Sequence, residues 1–154
     1  MRITAGSSSP SVTGKREFDR ASGLMEEMGR ICAGDRQVDV TLIGERRMAV
    51  LNREYKGRRG AAEILTFVYD DDPAPSGEGP SGEILICWKR LVTSAARLGV
   101  SRRSYLLRLV AHGLSHLEGF THGNDTEAEE MEGREREILE GTVTGREIAK
   151  MFRG

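Results

Sequence analysis

Ser101-Arg-Arg-Ser-Tyr105-Leu-Leu-Arg-Leu109-Val-Ala-His112-Gly-Leu-Ser-His116-Leu-Glu-Gly119-Phe-Thr-His122 reads as a helix, a glycine turn and three imidazoles, and it holds every histidine of the chain. Tyr105, Leu106, Leu109, Val110 and Gly113 recur with a 3.6-residue period, and Ser101 or Ser104 can cap a helix running to about Leu117. His112 and His116 are four apart, so their side chains share one helix face, near enough to share a cation. Gly119 stands where a left-handed cap falls, which lets the chain reverse and bring His122 back as a third ligand. Any one of these histidines alone would read as a surface or satisfied core residue; three at this spacing read as a metal site. Three protein ligands leave one tetrahedral position open, as in a catalytic zinc-type site rather than a closed structural one.

Upstream the pattern alternates between strand and helix. Residues 2–4 start an edge strand and Gly6–Pro10 reads as a loop. A first helix is expected over about 15–32, with Phe18, Leu24, Met25, Met28 and Ile31 inward. Val38-Asp-Val-Thr-Leu-Ile43 alternates at period two and reads as a strand, while Glu45 to about Tyr55, with Met48, Val50 and Leu51, reads as a helix. Ile64–Tyr69 and Glu83–Cys87 are short, apolar, β-prone runs, expected in one sheet. Between them, the proline- and glycine-rich stretch from Asp70 to Gly82 reads as a mobile loop rather than a domain linker. A helix near 88–98 leads through Gly99 to the histidine helix. Downstream, Thr126-Glu-Ala-Glu129 has capping-box form for a helix to about Glu140, with Ala128, Met131, Ile138 and Leu139 as its inner stripe. The fold class this implies is α+β: a mixed sheet of about four strands packed with helices, the metal site on a helix and the loop after it.

Composition bounds the surroundings. At 154 residues the chain is read as a single domain, residues 1–154, and 38% hydrophobic content with a net charge of −1 is ordinary for a soluble protein. Near-neutrality announces neither a membrane nor a polyanion, so any nucleic-acid role must rest on local basic patches. Cys32 and Cys87 belong to no metal cluster and suit buried thiols in a reducing cytoplasm. With no apolar run of membrane-spanning length and no secretory h-region, a cytoplasmic location is expected.

The histidine spacing also fits a metalloprotease motif, HxxxHxxGxxH, which needs a glutamate directly after the first histidine as general base. Here that residue is Gly113, and loss of such a base removes a factor of roughly 10² to 10⁴. Peptide hydrolysis by that route is therefore disfavoured. Ser115, beside a ligand, has no spare histidine to activate it as a nucleophile.

His112-Gly113-x-x-His116-Leu117-x-Gly119-Phe120-x-His122 instead resembles the HGxLHLxGYDH signature of the YbeY family, bacterial single-strand-specific endoribonucleases of ribosomal RNA maturation. Leu51-Asn-Arg-Glu-Tyr55-Lys-Gly resembles the family's LNxxYRG, Glu63-Ile-Leu-Thr-Phe67 its DVLSF, and Gly82-Glu-Ile-Leu-Ile86 its GDIxI. Glu127–Glu132 with Glu137-Ile-Leu139 is similar to the acidic helix that follows the signature. The blocks keep family order over about residues 38–140. Four positions depart: Lys56 replaces the family's arginine, Thr121 its aspartate, and Ala61-Ala62 its Pro-Thr. Lysine keeps the charge but loses the bidentate grip on phosphate, for which Arg58 or Arg59 could compensate. Thr121 removes a possible carboxylate partner for an imidazole.

The resemblance implies hydrolysis of RNA phosphodiesters at one metal ion held by His112, His116 and His122. Zinc is the default, with nickel or another divalent transition metal as substitutes. His112 and Lys56 are the expected catalytic residues, Lys56 offsetting charge that develops on phosphorus. Arg53, Lys56, Arg58 and Arg59 are the expected RNA-binding residues; Lys89, Arg90, Arg97, Arg102, Arg103 and Arg108 form a second basic group read more simply as solvated faces. The acidic run from Asp125 to Glu140 is likewise expected to be a solvated surface. Single-stranded ribosomal RNA or the ribosome is the expected partner, with no DNA and no membrane. Because each imidazole must be neutral to bind, activity is expected to fall below about pH 6. Two other classes stay open: a metallohydrolase of peptides or small molecules, and a ribosome assembly factor whose metal is mainly structural.

Overall fold

A computed structural model describes residues 1–69 and 80–152. Chain order is β1 (Arg2–Ser7), α1 (Val12–Arg30), β2 (Gln37–Ile43), α2 (Glu45–Lys56), β3 (Ile64–Val68), β4 (Gly82–Cys87), α3 (Trp88–Leu98), α4 (Arg102–Leu117), α5 (Asp125–Leu139) and α6 (Gly145–Met151). The four strands form one mixed sheet in the order β1-β2-β4-β3. β1, β2 and β4 run parallel, and β3 pairs antiparallel with β4 at the edge. This is the expected α+β architecture, with a sheet of the expected size.

Period-two alternation decides what each face buries. Val38, Val40 and Leu42 of β2 and Ile84 and Ile86 of β4 join Phe18, Met25 and Met28 of α1 and Leu106, Val110 and Leu114 of α4 in the main core. The other face is smaller. Ile43, Leu85 and Cys87 meet Met48 of α2 and Leu65 of β3 there, with Leu51 and Phe67 packed against them. Covered on both sides, β4 is buried along nearly its whole length, and each large apolar side chain enclosed this way contributes about 1.5–3 kcal/mol.

α4 lies deepest among the helices, buried on nearly every side. Gly113 sets its distance from the sheet: a Cβ there would stand 2.5 Å from Ile84 Cδ1 and 2.7 Å from its Cγ1. The same glycine that removes a protease-type base therefore also lets α4 lie this close to β4, where any Cβ would force Ile84 to shift. Ser101 caps this helix, its hydroxyl accepting from Ser104 N at 3.0 Å.

Several expectations shift. β1 extends through Ser7, paired with Leu42, where a loop was expected from Gly6. Ile31 is 49% exposed because α1 ends at Arg30, which releases that side chain from the helical stripe. Val50 faces outward from α2. Asn124, not Thr126, caps α5, and α6 is an added element. Both cysteines are buried free thiols, as expected. The expected mobile loop, 70–82, lies outside the described residues over 70–79; its last residue, Gly82, opens β4. Among the described residues no helix is long and apolar enough to cross a membrane.

Candidate metal centre

His112 and His116 leave the last two turns of α4 on one face, their ring centroids 4.7 Å apart. The reversal after them depends on Gly119, whose φ of 104° lies in the left-handed region that glycine adopts without strain. Gly119 N donates to His116 O and Phe120 N to Ser115 O, both at 3.0 Å, closing the helix and turning the chain back. His122 thereby stands 5.1 Å from the His116 ring and 5.7 Å from that of His112. One nitrogen from each of the three imidazoles lies within 4.8 Å of the others. His112 and His116 are half-buried and His122 is exposed.

The partners of two rings fix which nitrogen is free. His116 Nδ1 lies 3.1 Å from Phe120 O, an acceptor only, so Nδ1 carries the hydrogen and Nε2 keeps its lone pair. His112 Nδ1 is bonded to Glu135, again an acceptor, with the same consequence. Ligand imidazoles oriented through the second ring nitrogen are the pattern of built metal sites. Burial, then the neighbouring His112 and His122, hold the His116 imidazole below its ordinary pKa, against the opposing pull of Phe120 O and Glu135. A neutral, oriented imidazole is what a divalent cation requires, so this donor set fits a borderline ion such as zinc.

Glu135 is the partner of the histidine cluster that reading the sequence missed. It is only 5% exposed, on the face of α5 that carries Met131, Ile138 and Leu139 inward. The signal was present: positions 131, 135, 138 and 139 form one helical stripe, and a carboxylate on an apolar stripe must have a partner. The acidic run is thus not simply a solvated surface. Glu118, before the turn, is likewise engaged, accepting from Arg134 Nε at 2.8 Å.

The loop bearing His122 is pinned to the start of α5. The Asn124 side chain accepts from Glu127 N at 2.9 Å, while Glu127 Oε2 accepts from Gly123 N at 3.2 Å and from Thr121 Oγ1 at 2.6 Å. Thr121 therefore braces the loop through a carboxylate of α5. Ser115 is fully buried with its hydroxyl on Ala111 O, away from the imidazoles.

The histidines open into a cleft of about 540 Å³, which Lys56, Arg58, Asn52, Thr66, Phe120 and Thr121 also line. Lys56 ends α2, and Gly57, with φ 64°, turns the chain toward Arg58. Asn52 organises this turn: it is buried, its Nδ2 donates to Gly60 O at 2.9 Å, and its own carbonyl accepts from Arg58 N at 3.3 Å. Glu63 anchors the segment leading into β3 by accepting from Ser94 and Tyr105 hydroxyls. Of the expected RNA-binding residues, Lys56 and Arg58 reach the cleft, while Arg53 and Arg59 are exposed outside its lining. Within the second basic group, Lys89 pairs with Glu45 and Arg102 with Glu17, and Arg108 lies over the Tyr105 and Phe152 rings.

Residues 13–142 match the family model described as endoribonuclease YbeY. Among curated relatives, proteins named endoribonuclease YbeY from Azoarcus sp. (strain BH72) and Aromatoleum aromaticum are 39% and 38% identical over 110 and 106 residues, about 70% of this chain. A third, from Anaeromyxobacter sp. (strain Fw109-5), is 35% identical over 135 residues, 84% of the chain. These matches span 44%, 66% and 66% of the relatives' own lengths. A Thermotoga maritima protein solved in solution shares the fold, with a TM-score of 0.63 at 24% identity over 98% of this chain and 91% of that one.

Proposed function

From the premise that this chain belongs to the YbeY endoribonuclease family, we propose that it is a metal-dependent endoribonuclease that cuts single-stranded ribosomal RNA at the three-histidine centre. The observation that carries this reading is the convergence of His112, His116 and His122 on one point of a cleft that also holds Lys56 and Arg58. In this reading residues 1–154 work as one domain and zinc is the resident ion. When bound, such an ion supplies Lewis-acid chemistry, polarising a phosphoryl oxygen and making water more acidic at neutral pH.

The chain's own groups do the rest. Glu135 and Phe120 O hold two imidazoles with their free nitrogens inward. Lys56 and Arg58 bind non-bridging phosphate oxygens; Lys56 offsets the negative charge that grows on them as the phosphodiester is attacked. Arg58 supplies the planar grip that lysine at position 56 lacks. The close approach of Ile84 leaves position 113 without room for a glutamate general base, which weighs against a peptidase reading.

Elemental analysis of the purified protein, paired with cleavage assays on single-stranded RNA, duplex RNA and casein, tests the assignment. Expected are one equivalent of zinc, cleavage of single strands only, loss with a chelator, and a folded, inactive His112→Ala variant. Casein cleavage in place of RNA cleavage would overturn it. If His112→Ala does not fold and the wild type cuts no RNA, the metal is structural instead.

A further inference from the structure

Three aromatic rings stand in a row across the edge strand β3 from the cleft. Tyr55 is 62% exposed and Tyr69 48%, whereas Phe18, Trp88, Tyr105 and Phe152 are buried. Phe67, half-buried, links them: its centroid is 5.2 Å from Tyr55, edge to face, and 6.4 Å from Tyr69, with planes only 5° apart. Thr66 and Val68 line the cleft, so the alternation along β3 puts Phe67, and Tyr69 just beyond it, on the opposite side of the strand. β3 is an edge strand, with the cleft and the row on its two sides. The Tyr69 hydroxyl donates to Glu83, which holds that ring in place.

Charge identifies the occupant. Lys56 and Arg58, one and three residues beyond Tyr55, line the cleft, so cations adjoin the Tyr55 end of the row, while the carboxylates of Glu83 and Asp39 stand at its Tyr69 end. A row of π-faces beside a basic track is how proteins hold unpaired nucleotides, because every base can stack on a ring. We propose that Tyr55, Phe67 and Tyr69 form a base-stacking platform for unpaired nucleotides flanking the phosphate held by Lys56 and Arg58. The proposal rests on the nuclease reading and adds a physical basis for preferring single strands, since paired bases present no free face to a ring.

The test is fluorescence anisotropy of the metal-loaded protein with two labelled oligomers of equal length and charge, a 2′-O-methyl oligouridylate and its abasic sugar–phosphate counterpart. Tyr55→Ala and Tyr69→Ala should each weaken oligouridylate binding about tenfold and leave the abasic oligomer unaffected. Tyr55→Phe should bind as the wild type does. Lys56→Ala should weaken both oligomers alike. Both tyrosines are exposed, so unchanged melting temperatures should accompany these effects. Wild-type affinity in the double alanine variant would overturn the proposal and leave the rings to a protein partner; equal loss for both oligomers would overturn it too. If the wild type cuts no RNA yet keeps the base-dependent difference, the platform stands and the nuclease reading fails.

Discussion

Glu135 sets the orientation of His112, and its effect belongs to a single hydrogen bond. Glu135→Gln keeps the shape and one acceptor oxygen but removes the charge that favours an Nδ1-protonated imidazole. Metal affinity, measured by competition with a chelator, should fall about 10- to 100-fold while the melting temperature without metal changes little. Unchanged affinity would mean that His112 is oriented without it. At this scale the sequence was legible for the histidine cluster and opaque for its supports. The three histidines announce themselves because they lie within eleven residues, two of them one helical turn apart. The Glu135 contact spans 23 residues, and Lys56 shares a cleft with the imidazoles only because residues of α2, β3 and α4 line it together.

Between elements, the separation of α4 from β4 positions the histidine face over the cleft. Gly113→Ala places a Cβ against Ile84, and overpacking of this kind costs about 1–3 kcal/mol. Because the nearest atom is Ile84 Cδ1, Ile84→Val should recover part of that loss. Urea unfolding of the two single variants and the double variant checks this; additive losses would show that the contact is not what excludes a side chain. Element boundaries were less legible than element types. Asn124 and Thr126 both have a glutamate three residues on, so both meet the capping pattern. The choice falls to Asn124 because Glu127 is also recruited by Gly123 and Thr121 from the preceding loop, and that folding-back is tertiary. Ile31 has the helical period but lies past the point where α1 stops.

Across the whole molecule, Glu118 and Arg134 tie three segments together. Glu118 accepts from Arg134 of α5 and from Ala33 N after α1, and Arg134 Nη2 donates to Ile31 O at 3.1 Å. Burial alone would raise the Glu118 carboxyl, but hydrogen bonds from Arg134 and Ala33 outweigh it, and the group stays below its ordinary value of 4.5. Its contribution is therefore fully present above that value and is lost as pH falls through the lower folded value. Stability measured by urea unfolding should drop as the solution is acidified below about pH 4.5. Glu118→Gln should cost on the order of 1–3 kcal/mol at neutral pH and flatten that acid-side loss; an unchanged acid profile would place its origin elsewhere. The sequence by itself determined the α+β class, the strands, the histidine helix and the clustering of the three histidines, because hydrophobic periods, caps and turn glycines act within a few residues of one another. Only the tertiary structure decided the strand order, the Glu135 support, the cleft that unites Lys56 with the histidines, and the exposed aromatic row. Each of these joins residues distant in the chain, and their meeting depends on how the apolar faces of several elements pack at once.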